Sequence, residues 1–169
     1  MLGYIIVVIV FIAILLTISS RIRKAASRAF ESEAIETDEF FLTKSEGFIN
    51  PINDDSRYAF EAYSKDFGQG EDAEDLRQAS VFVNAFPDKD FAKVCEETRA
   101  AAGEILSEEI AGNVCLIKAE ETLKSTAAYN FYKIIGGEKI YVLKISVLKE
   151  FLDDYKDRIG EILESFRLK

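Results

Sequence analysis

Residues 126–146 read TAAYNFYKIIGGEKIYVLKIS. Two runs rich in β-branched and aromatic residues, Thr126 to Ile135 and Glu138 to Ser146, flank Gly136-Gly137. A Gly-Gly pair in that setting is what a two-residue turn with positive φ wants, so the stretch predicts an antiparallel hairpin. Downstream, Leu148, Phe151, Leu152, Tyr155, Ile159, Ile162, Leu163 and Phe166 recur at helical spacing and predict a final helix from about Val147 to Arg167. Upstream, Asn113 to Ala119 reads as a strand.

Further toward the N-terminus, Pro87 stops one element, and Asp88 or Asp90 can cap the next. Phe91, Val94, Cys95, Thr98, Ala101, Ala102 and Ile105 then form the apolar stripe of a helix laid on a sheet. Before it, Ala79 to Phe86 is a nearly continuous apolar run, the pattern of a central strand. Arg57 to Lys65 reads as a strand with Tyr58, Phe60 and Ala62 on one face, and Phe40 to Thr43 as a short strand closed by Ser45-Glu46-Gly47. Asn50-Pro51 and Asn53-Asp54-Asp55 are turn material, and Phe67 to Asp72 is a flexible acidic loop. The order is three strands, helix, three strands, helix. That predicts an α+β domain with an antiparallel sheet of about six strands and two main helices, which either share one face or take one face each.

Leu2 to Ile18, LGYIIVVIVFIAILLTI, carries no charge and no proline. With Ser19 and Ser20 it reaches the roughly 20 residues that cross a bilayer core, so residues 1–20 are expected to be a transmembrane anchor in the lipid bilayer. A cleaved signal would carry its basic residues before the apolar run; here they follow it. Arg21, Arg23, Lys24 and Arg28 flank the segment, and the positive-inside rule then puts the N-terminus outside and the C-terminal domain in the cytoplasm. Residues 21–37 are helix formers and read as a helical stalk running from basic to acidic. Residues 38–169 form the domain.

All 30 acidic residues lie at or after Glu31, against 17 of the 21 basic ones, a net of −13. A head this acidic repels phosphate backbones, which argues against nucleic-acid binding, whereas the basic flank suits anionic lipid headgroups. No histidine is present and only two cysteines, Cys95 and Cys115. Ser-His and Cys-His catalysis are therefore excluded in cis, and a transition-metal site has almost nothing to build from. The cysteines read as free buried thiols.

Three stretches resemble PsbP-like domains, the group of the photosystem II PsbP subunits and DcrB-type bacterial relatives: FFLTKSEGF at Phe40–Phe48, the 127–146 hairpin, and ILESFRLK at Ile162–Lys169. In that family the early turn reads proline-x-glycine-aromatic and the last helix ends in Ser-Phe-basic. Here Ser45 stands in the proline's place, while Glu46-Gly47-Phe48 and Ser165-Phe166-Arg167 match. The resemblance implies an α/β/α sandwich that acts as a binding or assembly module, and it transfers no catalytic residue. Bacterial relatives are commonly exported, often by lipidation; this chain has no lipid-accepting cysteine after its apolar run.

Chemistry-bearing motifs are sparse. No P-loop or GxGxxG occurs, and the acidic pairs Glu71-Asp72, Glu74-Asp75, Glu96-Glu97, Glu108-Glu109, Glu120-Glu121 and Asp153-Asp154 are adjacent in sequence, so their side chains diverge. Asp66, Glu71, Asp72 and Asp75 lack EF-hand spacing and read as a solvated loop rather than a calcium site. No catalytic, cofactor or metal residue is assigned. Aromatic residues are the better lead: Tyr58, Phe60 and Tyr63, and Tyr129, Phe131 and Tyr132, are core if both sheet faces are covered and a contact patch if one is not. The expectation is a non-catalytic, membrane-tethered module working through protein contacts. The alternative is an envelope protein holding a small apolar or lipidic ligand between sheet and helix.

Overall fold

The hairpin of residues 126–146 forms, as β7 (Thr126–Gly136) paired antiparallel with β8 (Ile140–Leu148). Its turn differs from the expected one. Gly136 pairs with Ile140, so the loop spans three residues, and neither Gly136 nor Gly137 has a positive φ. Close approach matters at Gly136 instead, while Gly137 is crowded only by the flexible tip of Leu168. A Cβ on Gly136 would stand 3.1 Å from the Phe91 ring, and one on Gly137 would stand 2.9 Å from Leu168.

The computed structural model describes residues 27–51, 56–64 and 76–169. The other elements are β1 (Glu33–Glu36), β2 (Phe40–Lys44), β3 (Phe60–Tyr63), β4 (Ala79–Phe86), α1 (Phe91–Ala101), β5 (Glu104–Ala111), β6 (Val114–Leu123), α2 (Leu152–Ser165) and β9 (Arg167–Leu168). A 3-10 turn, Lys149–Phe151, leads into α2. Six strands make one antiparallel sheet in the order β3-β4-β8-β7-β6-β5, and β1-β2-β9 make a second, smaller one.

Alternation along β8 decides the layering. Tyr141, Leu143, Ile145 and Val147 face a core shared with Val81 and Val83 of β4 and with Tyr155, Ile159 and Ile162 of α2. Ile140 and Val142 face a second core with Ile134, Ile117, Cys115 and the α1 residues Val94 and Cys95. One helix therefore lies on each face, the α/β/α sandwich. The space between sheet and α2 is filled by aromatic rings: Phe40 packs on Tyr141 and on Phe166 at 5.8 Å each, and Phe48 on Tyr155 at 5.6 Å.

Several expected elements shift. Glu33–Glu36 is a strand paired with Phe41–Lys44, so the helical stalk does not reach residue 37 and the domain begins before Asp38. Pairing overrides the helix propensity of these residues. Asp90 caps α1, accepting from the Lys93 amide at 3.2 Å, but the helix stops at Ala101. Gly103, at φ 80° and with its Cα too close to the Glu120 carbonyl for any Cβ, turns the chain into β5, so Ile105 belongs to a strand rather than to the helical stripe. The final helix begins at Leu152, because Val147 and Leu148 complete β8. Residues 1–20 lie outside the described residues, as do Arg21, Arg23 and Lys24; among the described residues no helix is long and apolar enough to cross a membrane.

The two-residue turn between β6 and β7 is the strained point of the sheet. Leu123 pairs with Thr126, which leaves Lys124 at φ 44° and Ser125 at φ 72°, both left-handed and neither a glycine or asparagine. Replacing the pair by Asn-Gly (Lys124→Asn with Ser125→Gly) is expected to stabilise the domain by about 1 kcal/mol and raise its thermal midpoint by roughly 3–5 °C in a calorimetric scan.

Candidate functional site

Neither helix spans its whole sheet face. On the α1 side, no helix among the described residues covers the strand ends around β3 and β4. Phe82 sits there opposite Glu61 on β3 and Lys144 on β8. The rings of Tyr58 and Tyr63 bracket it, at centroid distances of 4.6 and 5.6 Å. Guanidinium groups lie over the outer rings, Arg57 above Tyr58 at 5.0 Å and Arg77 above Tyr63 at 5.8 Å. The Tyr63 hydroxyl donates to Glu61 Oε2 at 3.0 Å, and its pKa is pushed up to about 12, first by burial and then by that carboxylate.

A groove of about 240 Å³ runs beside these rings, lined by Tyr63, Arg77, Ser80, Phe82, Lys144 and Ser146. At Lys144 it adjoins a second groove of about 250 Å³ along the flank of α1. Behind it Ser146 donates to Asn130 Oδ1 at 2.6 Å. Asn130 is fully buried, and its Nδ2 has no hydrogen-bond partner.

Of the three aromatics singled out from the sequence, the structure thus brings Tyr58 and Tyr63 together and separates Phe60. Phe60 is 6% exposed and faces the α2-side core with Ala62. The strand begins only at Phe60, so Tyr58 escapes the alternation that was expected to put it on that face. Phe82 and Arg77 were missed. Ser80 and Asn84 share the parity of Phe82 in β4 and mark that side as the outward one, a signal hidden when the run is read as continuously apolar.

On the α2 side the bare region lies at the other edge, over β5, β6 and β7. Leu116 is exposed there, Phe131 and Tyr129 are half-buried, and Leu163 closes a groove of about 320 Å³. The Lys118 ammonium stands over both rings, 5.2 Å from Tyr129 and 5.4 Å from Phe131. Tyr132, the third ring of that group, is core on the α1 side.

The adjacent carboxylates do diverge. Glu120 Oε1 accepts from Lys149 at 2.7 Å and Glu121 Oε1 from Lys144 at 3.5 Å, on opposite faces of β6. Glu108 is paired bidentately with Arg99, which holds its carboxyl below the usual range; Glu39 and Glu97 are held down likewise by Lys139 and Lys89. These are ion-paired surface groups. Cys95 and Cys115 are free, buried neighbours; burial pushes the Cys95 thiol up and the Cys115 thiol up to about 12. Among the described residues no cluster of His, Cys, Asp or Glu could hold a metal ion, and the 65–75 loop with Asp66, Glu71, Asp72 and Asp75 lies outside them. Arg28 is described and exposed, two residues before Phe30.

No family model and no curated protein matches the chain. Solved structures do. LpqN, involved in cell envelope biogenesis of Mycobacterium tuberculosis, superposes with a TM-score of 0.52 at 12% identity, covering 82% of this chain and 91% of LpqN. The cyanobacterial PsbP (CyanoP) of Synechocystis gives 0.49 at 11% identity, covering 82% of this chain and 92% of its own. A Bacteroides thetaiotaomicron protein gives 0.47 at 12% identity, and the chain spans 45% of its length. At such identities the likeness carries the fold alone. The α/β/α sandwich that the resemblance at Phe40–Phe48 and the closing helix implies is the architecture observed, with one helix on each face of the six-stranded sheet.

Cys115 and Tyr63 keep their protons in the folded state up to about pH 12, whereas the unfolded chain loses them from the ordinary thiol and phenol values of 9.0 and 10.0. Their contribution to stability is therefore complete below pH 9 and is lost as pH rises toward 12. Denaturation midpoints should fall across that window, and at pH 8 both thiols should resist a thiol reagent until the chain is unfolded.

Proposed function

We propose that the chain is a membrane-tethered, non-catalytic binding module whose domain engages a partner protein through the bare parts of its sheet. The observation that carries this reading is the Tyr58–Phe82–Tyr63 cluster with its two guanidinium groups. Aromatic and arginine side chains held on a rigid strand pair are the residue types that dominate protein contacts. The ligand-in-a-cavity alternative needs space between sheet and α2, and Phe40, Phe48, Tyr155 and Phe166 occupy it. The tether in this reading is residues 1–20, with Arg21, Arg23, Lys24 and Arg28 on the cytoplasmic side.

A photoreactive residue in place of Tyr63, in the full chain in its own membrane, is expected to yield one discrete protein adduct that survives detergent extraction and is lost on Phe82→Ala. Adducts with lipid alone would overturn the reading. Paired reporters fused after Lys169 should give the cytoplasmic signal and not the external one; the opposite result would reverse the orientation.

A further inference from the structure

We propose that the outer edge of β5 is a docking strand for an extended segment of a partner protein that alternates apolar and basic side chains. The proposal deepens the protein-binding role above, on a different surface from the Tyr63 cluster.

Edge strands expose unpaired amide and carbonyl groups, and folds normally blunt them. The other sheet edges here are blunted. β3 has only four residues, and Ile49 bridges its outer side, exchanging hydrogen bonds with Tyr63 at 2.8 and 2.9 Å. β1 has four residues and β9 two. β5 has eight, is exposed along almost its whole length, and carries no lysine and no proline. Among the described residues its outer backbone has no hydrogen-bond partner. One bulge, between Ile105 and Ser107, leaves Ser107 to Ala111 as the regular stretch.

Side chains along that stretch define the partner. Ile110 is 55% exposed and lies on the α1 side with Glu108, whose charge Arg99 already neutralises through Nε at 2.9 and 3.1 Å. That side asks for an apolar neighbour. Glu109 lies on the α2 side opposite Leu116 and has no ion pair among the described residues, so that side asks for a cation. Period-two alternation of apolar and basic residues meets both demands in one added strand. A second copy of this chain does not fit. Antiparallel pairing of β5 with itself would crowd Glu104, Glu108 and Glu109 of both copies with no basic residue on either strand.

The test uses the full chain in nanodiscs and a fluorescent peptide alternating valine and lysine, read by anisotropy and by amide exchange. Binding with slowed exchange confined to 107–111 is expected. Glu109→Lys should weaken it by about tenfold, and a proline in the middle of the peptide should abolish it. Equal binding to Glu109→Lys or by the proline peptide, protection elsewhere, or no binding up to about 1 mM would overturn the proposal. The Tyr63 adduct is independent of all of these. If it persists while the peptide fails, the protein-binding role stands and only the β5 edge is removed.

Discussion

β8 is buried on both faces, and that constraint organises the rest of the molecule. An antiparallel sheet can leave one face in water, but a strand reading Ile-Tyr-Val-Leu cannot. It needs a cover above and below, and the amphipathic segments 91–101 and 152–165 supply one each. Losing a single fully buried side chain such as Leu143 or Ile145 would cost about 2–5 kcal/mol, a large part of a typical net stability of about 5–15 kcal/mol. The same strand also marks where the cover ends. On the α1 side its residues change from Ile140 and Val142 to Lys144 and Ser146, and the groove beside Tyr63 opens at that change.

Where pattern and packing agree, the sequence was legible. The 126–146 hairpin, β4, the Asp90 cap and the stripe Tyr155-Ile159-Ile162 follow directly from period and capping chemistry. β5 was invisible because an exposed edge strand needs no apolar face: EILSEEIA has no clean alternation, and Ile105 happens to continue the helical spacing of α1. β1 was read as stalk because EAIE favours a helix in isolation, and only its pairing with β2 makes it a strand. The aromatic cluster was half legible. Tyr58 and Tyr63 could be named, but the parity of Phe60 depends on where the strand starts, a boundary that composition does not fix.

Lys44 links the domain to the segment before it. Its ammonium, at a residue 3% exposed, donates to the carbonyls of Ala29 at 3.1 Å, Glu31 at 2.6 Å and Phe48 at 3.0 Å, and burial lowers its pKa. Gly47 N–H donates to Phe30 O at 2.8 Å beside it. The turn at 29–31 and the turn at 45–48 are thus pinned on one charge. Ser45, where the PsbP-like pattern has proline, donates to Glu161 Oε2 at 2.5 Å and ties the same turn to α2. Proline has no hydroxyl for that contact, so Ser45 has a local structural use of its own.

The two bare regions follow from dimensions. Six strands at about 4.8 Å spacing make a sheet roughly 25 Å wide, while one helix about 10 Å across shields only two or three of them. α2, helped by β2, covers the β4–β8 side of one face, and α1 covers the β6–β7–β8 side of the other. The uncovered strips therefore fall on opposite faces at opposite edges. They also differ in chemistry: aromatic rings under guanidinium groups at β3–β4, apolar side chains rimmed by glutamates at β5–β6. Arg57, Arg77 and Lys118 lie over the half-buried rings and place charge at their outer faces, so neither strip is a continuous greasy surface. A domain with a net charge of −13 from Glu31 onward also carries a long-range repulsion against other strongly acidic surfaces.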